Sequence, residues 1–321
     1  MIENKIFKYT ENIMFENQKR IMIDTGDSEN YIQKARHSSA IYENYIEMLK
    51  QDYVLYFHEQ TVSKFYKRQY VEELFQRKDL IRHNDIFYTL DYPRDKKLNR
   101  FESVKLLVLF TCMPNAENYD SSLIPKRMFP KFFDGIERSL VKNVYTMRIM
   151  DLNASHGSHY INTINNMSYE SDIVSAIRKV QNELNIPDNH TVLYGASKGG
   201  TGALYYSAKM NLKSLAVDPI ISAEEYNLKD EHFLKHIRKE DLTNEINHNL
   251  NINSTREKYI ISSENVEFNY SKANAISGEN LQLINKKDEY ITSHPEVSKN
   301  TVPEQLMILN KLLSSESLTN L

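Results

Sequence analysis

Apolar positions from residue 52 onward fall into short runs separated by stretches with helical spacing. Residues 53–57, 85–90, 105–111, 144–150, 192–194, 215–217, 258–262 and 281–284 are rich in Val, Ile, Leu, Tyr and Phe and read as strands. Between them, 62–80, 129–140, 169–184 and 303–313 read as helices, and a further helix-favouring run follows the fifth strand with no spacer. The run 105–111 is the most continuous, as expected of a strand buried on both faces near the middle of a sheet. Strands alternating with helices predict βαβ units, hence an α/β fold with a mostly parallel sheet and helices on both faces. Residues 1–51 read as an N-terminal helical extension, its main helix starting near Ser28 as N-cap. Residues 52–321 read as the main domain, with a charged helical insertion at about 223–250.

The apolar run Val192, Leu193, Tyr194 leads directly into Gly195-Ala196-Ser197-Lys198-Gly199 and then into a helix-favouring stretch. Four of the chain's eight glycines, Gly195, Gly199, Gly200 and Gly202, fall here. Gly-x-Ser-x-Gly at a strand-to-helix junction is the nucleophile elbow of α/β-hydrolases, a turn that holds a serine exposed above the sheet. A serine hydroxyl needs a base within hydrogen-bond reach and a carboxylate to orient that base. In this fold they follow in the chain order serine, acid, histidine. Of the downstream histidines His232, His236, His248 and His294, only His294 lies between the last strand and the closing helix, which makes it the expected base. Glu264, just past the strand 258–262, is the first choice of acid. Asp218, at the end of the strand 215–217, and Glu267 are the alternatives.

A tetrahedral oxyanion requires preorganised donors. The backbone N–H of Lys198, next to the nucleophile, is one candidate, and an amide of Cys112 or Met113, after the strand 105–111, is the other. Cys112 as nucleophile is the rival reading, set against a lone cysteine acting as inert packing at a strand end. His156 and His159 lie in a polar segment after the strand 144–150; they are candidates to line an acceptor pocket, with a plain surface loop as the alternative. Gly157 between them and the lack of a carboxylate partner argue against a metal site. A phosphate-binding loop is excluded at 195–202, because Lys198 is followed by Gly199 instead of Ser or Thr.

Charge adds an exclusion. With 40 basic and 43 acidic residues and a formal charge of −3, nothing favours a nucleic-acid partner. The single cysteine, Cys112, rules out an internal disulfide and fits a reducing compartment. Residues 1–20 lack the apolar core of a signal peptide, and no run approaches the ~18 apolar residues of a membrane span. A cytoplasmic protein without a transmembrane segment is expected.

The segment 194–203, with Asp151 to Asn162 upstream and His294 downstream, resembles the XcbB/CpsF-type capsular polysaccharide biosynthesis proteins of bacteria. More distantly it is similar to α/β-hydrolase-fold glycan O-acetyltransferases of capsule loci and accessory secretion systems. The resemblance covers roughly residue 52 to the end. It implies an acetyl-enzyme on Ser197, formed from acetyl-CoA as acyl donor with no tightly bound cofactor, and passed to a polysaccharide hydroxyl, with capsule-assembly proteins as partners. An esterase or deacetylase of the same fold, and a non-catalytic member of a capsule or secretion complex, are the competing readings.

Overall fold

The computed structural model describes residues 6–16, 18–93, 97–252 and 254–314; the outermost residues of the two expected units lie outside these. Eight strands form the main sheet: β5 (Ile81–His83), β6 (Ile86–Asp91), β7 (Lys105–Phe110), β8 (Val144–Ile149), β9 (Thr191–Ala196), β10 (Lys213–Val217), β11 (Lys258–Ser262) and β12 (Leu281–Asn285). Their spatial order is β12-β11-β10-β9-β7-β8-β6-β5. All neighbours run parallel except β6, which is antiparallel to both β8 and β5. Strands β7 to β11 are buried along their whole length, which is why they read as continuous apolar runs.

Alternation along each strand feeds two cores. Leu106, Val108 and Phe110 pack with helices α4 (Tyr169–Leu184), α5 (Lys198–Met210) and α6 (Thr243–Ile252). Leu107 and Leu109 pack on the opposite face, against α8 (His294–Asn300) and α9 (Val302–Ser314). The chain order reverses about β7, whose neighbours are β8 and β9, so the loops leaving β7 and β9 converge at their carboxyl ends. Phe110, the last residue of β7, is in register with Gly195, which sets residue 112 beside the turn that follows β9.

The N-terminal region departs from the expected helical extension. Strands β1 (Ile6–Lys8), β2 (Arg20–Asp24), β3 (Tyr53–Glu59) and β4 (Val62–Lys67) form a second sheet in the order β1-β2-β4-β3, covered by α1 (Tyr31–His37) and α2 (Ser39–Lys50). The expected break at residue 51 therefore falls inside this layer. The expected helix 62–80 is instead β4 followed by a 3-10 turn at Arg68–Leu74. Gln60, at φ 55°, closes a two-residue hairpin, and that local turn outweighs helical spacing. Helix α1 starts at Asn30, not Ser28, because Asn30 and Gln33 form a reciprocal capping box.

Two further expected helices are mostly irregular. In 129–140 only Ile136–Ser139 forms a 3-10 turn, entered through Gly135 at φ 78°. In the insertion 223–250 the regular parts are a 3-10 turn at Tyr226–Leu228 and the helix α6, and left-handed residues at Asp230, Phe233 and His236 shape the segment between them. No helix among the described residues is long and apolar enough to cross a membrane.

Candidate active site

Strand β9 ends in the turn that carries Ser197 at φ 56°, ψ −124°, a backbone conformation that L-residues rarely adopt. The flanking glycines are steric necessities. A Cβ on Gly195 would lie 2.2 Å from the carbonyl oxygen of Gly199, and one on Gly199 would lie 2.2 Å from that of Phe110. The Ser197 N–H donates to Val217 O at 2.9 Å, tying the turn to the end of β10. Helix α5 begins at the next residue, so the N–H of Lys198 has no acceptor one turn back.

His294 opens α8, and its ring bridges two strand ends. Nε2 lies 2.7 Å from Ser197 Oγ and Nδ1 lies 2.6 Å from Asp218 Oδ2. Asp218 follows β10 directly, is held at φ 41° and donates its N–H to Ile261 O at 2.7 Å. Its carboxylate is buried and accepts from Ser262 Oγ on Oδ1 at 2.5 Å and from Asn269 Nδ2 on Oδ2 at 3.2 Å. With a carboxylate on Nδ1, that nitrogen carries the ring proton and Nε2 is left to accept from the serine.

The carboxylate facing His294 is thus Asp218 and not Glu264, the first choice from sequence. Glu264 is exposed, accepts from Asn285 Nδ2 at 2.8 Å and pairs with Lys287 Nζ at 3.1 Å. These bonds, that to Asn285 first, lower its carboxyl below the usual value and aim it along β12, away from the elbow. Glu267 is exposed at the first turn of α7 (Glu267–Asn274). Both ring nitrogens of His294 are already engaged, by Ser197 and by Asp218.

Cys112 and Met113 leave β7 beside the elbow, half-buried. Burial raises the Cys112 thiol above its ordinary value, with the Lys198 charge opposing, which favours the protonated, unreactive form. The end of β7 lies close against the elbow, since a Cβ on Gly199 would stand 3.1 Å from the carbonyl carbon of Thr111.

Sequence reasoning missed the role of the Lys198 side chain. It is completely buried, donates from Nζ to His156 O at 2.7 Å and stands 3.7 Å from Asp151 Oδ2. Asp151, also fully buried, accepts from the N–H groups of Ser158 and Tyr160 at 3.1 and 3.3 Å and from the Tyr169 hydroxyl at 3.1 Å. Burial raises the Asp151 carboxyl and lowers the Lys198 ammonium, each opposed by the other's charge. A Cβ on Gly157 would collide with both groups. The available signal was a charged residue inside a glycine-rich elbow, where close packing leaves no route to solvent.

The segment 151–162 is accordingly interior, against the surface-loop reading. His156 and His159 are buried and do not line the cleft at His294. His156 Nε2 donates to Tyr119 O at 2.8 Å, and His159 Nε2 meets His232 Nδ1 at 3.0 Å. Burial pushes His156 down to about 4 and His159 and His232 well below the ordinary histidine value. The open cleft beside His294, of about 390 Å³, is lined instead by Tyr226, Asn269, Phe268, Glu225 and Glu231 among others. No group of three or more His, Cys, Asp or Glu among the described residues is arranged to hold a metal ion.

No protein-family model matches the chain, and no curated protein matches it in sequence. Solved structures match in fold. The Glycosylation Associate Protein (Gap123) complex from Streptococcus agalactiae superposes with a TM-score of 0.56 at 17% identity, over 81% of this chain and 52% of that one, so this chain spans about half of that length. The capsule O-acetyltransferase of Neisseria meningitidis serogroup A gives a TM-score of 0.46 at 17% identity, over 72% of this chain and 93% of that one. FphF, a fluorophosphonate-binding serine hydrolase of Staphylococcus aureus, gives 0.46 at 14% identity, over 74% and 96%. The parallel sheet with one antiparallel strand, β6, next to its edge, and with its elbow after β9 and a histidine after β12, is the α/β-hydrolase fold.

Proposed function

We propose that this chain is a serine acyltransferase that moves an acetyl group from acetyl-CoA, through an acetyl-Ser197 intermediate, to a hydroxyl of a bacterial capsular or surface polysaccharide. The observation that carries the reading is the continuous line from Ser197 Oγ to His294 Nε2 at 2.7 Å and from His294 Nδ1 to Asp218 at 2.6 Å. In the first half-reaction His294 Nε2 takes the proton as Ser197 Oγ attacks the thioester carbonyl. The oxyanion is held by the Lys198 N–H and an amide of the loop at Cys112 and Met113, and the CoA thiolate leaves with the proton from His294. In the second, His294 deprotonates the sugar hydroxyl, which attacks the acetyl carbon and returns Ser197 as the leaving group, reprotonated by His294. Asp218 holds the ring in the required tautomer throughout and stabilises the imidazolium.

The resemblance of the 194–203 segment to XcbB/CpsF-type capsule proteins supports acetyl transfer over hydrolysis, and is the ground for assigning the chain to that group. The fold shared with the Gap123 complex, a glycosylation-associated assembly, is in keeping with a glycan acceptor and with assembly partners.

The test is incubation of the full chain with acetyl-CoA, with and without polysaccharide, reading Ser197 acetylation by mass spectrometry and CoA release in solution. Glycan-dependent release with an acetylated Ser197 is the expected result. Equal release without glycan assigns the site to hydrolysis, as an esterase or deacetylase. No acyl adduct from acetyl-CoA or from simple esters makes the chain a non-catalytic member of its complex.

A further inference from the structure

Behind the cleft lies a buried cationic cluster that the triad does not use. Arg238 is 7% exposed, and its three guanidinium nitrogens are buried without a hydrogen-bond partner. Nδ1 of His159 is likewise buried and without one. Buried donors are nearly always satisfied, and a buried cation stripped of both water and counter-charge is strongly unfavourable.

None of the neighbouring carboxylates hydrogen-bonds Arg238. Of those whose charge acts on it, Asp151 stands against Lys198 at 3.7 Å, Asp241 shares Lys272 with Glu224, and Glu240 is exposed and accepts from the neutral Asn227 at 2.9 Å. His159 and His232, held neutral by burial, add no counter-charge, and Arg238 depresses both further. Among the buried groups of this cluster, Arg238 and Lys198 against Asp151 leave one positive charge unmatched.

The cluster is joined to the catalytic residues. The backbone of 237–238 pairs with 163–164, immediately after the segment that Lys198 holds against the elbow. His159 meets His232 at 3.0 Å, and His232 stacks on Tyr226 with ring centroids 5.2 Å apart. The same Tyr226 ring stands 6.2 Å from His294, so a single aromatic ring separates His232 from the base. Strain is concentrated on both sides of this contact, with left-handed backbone at His159 and Tyr160 and at Asp230, Phe233 and His236. Backbone held in sparsely populated conformations gathers at ligand sites.

We propose that Arg238, with the one ring N–H that the mutually bonded His159–His232 pair leaves free, binds an oxyanion of the acceptor, a carboxylate or a phosphate, so that the substrate is an anionic saccharide. This deepens the reading of the site as an acyltransferase and rests on it for the word acceptor. The bound oxyanion supplies the missing counter-charge, and the planar guanidinium gives it a two-pronged donor.

The experiment is thermal unfolding of the full chain at matched ionic strength with glucuronate, glucose 6-phosphate, neutral glucose or CoA, for the wild type, Arg238→Met and Arg238→Lys. Either anionic sugar should raise the wild-type midpoint by about 2 °C or more, glucose should not, and the increase should vanish in Arg238→Met. Without ligand, Arg238→Met should unfold no lower than the wild type, since an unpaired buried charge is replaced by an apolar chain. Should that variant fail to fold, Arg238→Lys keeps the charge, loses the fork and should show a smaller shift than the wild type. A wild-type midpoint unmoved by either anionic sugar, an equal shift in Arg238→Met, or a shift with CoA alone overturns the proposal. Because binding is read without acetyl-CoA, an absent acetyl-Ser197 leaves this result standing. Efficient acetylation of a neutral glycan would sink the anion site while leaving the acyltransferase intact.

Discussion

Ser262 donates its hydroxyl to Oδ1 of Asp218 at 2.5 Å, on the carboxylate oxygen that His294 does not use. Oδ2 is left for Nδ1 of His294 and for the side-chain amide of Asn269. The carboxylate is therefore fixed from two directions before the histidine meets it. Asp218→Asn would keep the volume but remove the acceptor that selects the ring tautomer. Turnover should fall by about 10³- to 10⁴-fold with the fold intact. Glu264→Gln, altering an exposed carboxylate, should leave turnover close to that of the wild type. Steady-state kinetics and circular dichroism on both variants check this, and a larger loss in Glu264→Gln than in Asp218→Asn would return the acid to the loop after β11.

Lys198 and Asp151 form a buried pair that pins the 151–162 segment under the elbow. Removing one partner leaves the other charged and desolvated. Lys198→Met should cost about 3–5 kcal/mol of stability. The double variant Lys198→Met with Asp151→Asn should lose clearly less than the sum of the single losses. Urea denaturation of the four proteins measures the coupling. Additive losses would show that the two groups do not depend on each other.

Gly199 packs against the β7 backbone, and a Cβ there would sit 2.2 Å from Phe110 O. Backbone cannot swing aside as a flexible side chain does. Gly199→Ala should therefore destabilise by about 3 kcal/mol or prevent folding, read by thermal melting. Gly200→Ala, where the nearest atom is Val217 O at 3.0 Å, should be milder.

The parts of this molecule that sequence discloses are those set by local rules. Strands β7 to β11 are buried on both faces and so are written as unbroken apolar runs, and the elbow is written in glycines because a side chain there would strike backbone. His294 follows from chain order alone. The acid does not, because Asp218 and Glu264 both stand near the ends of parallel strands. What separates them is the left-handed turn at Asp218, which tucks its carboxylate under His294, while Glu264 is drawn outward by Asn285 and Lys287. The hairpin at Gln60 was hidden for a related reason, since the apolar spacing of 62–80 fits a helix as well as it fits β4 and the turn after it. The contact of Lys198 with the carbonyl of His156 spans 42 residues, and side-chain burial of this kind leaves no periodic trace.

Three interior histidines make stability fall with acid. His156 has its proton affinity pushed down to about 4 by burial, and His159 and His232 are pushed well below their ordinary value by the same cause. In the unfolded chain each titrates near 6.5. Above about pH 7 all three are neutral in both states, and their contribution does not change with pH. As pH falls from about 6.5 towards 4 the unfolded chain takes up three protons that the folded chain resists, so the equilibrium shifts towards unfolding. Asp151 and Asp52, whose carboxyls burial raises, work against this with one proton each at most. The net one to three protons correspond to about 1–4 kcal/mol per pH unit at the steepest point, near pH 5. Urea midpoints measured from pH 8 to pH 4.5 should be flat at the upper end and drop steeply below pH 6. Replacing His159 with Gln should reduce the slope by about one proton's worth, and an unchanged slope would mean that His159 does not carry its share of the acid sensitivity.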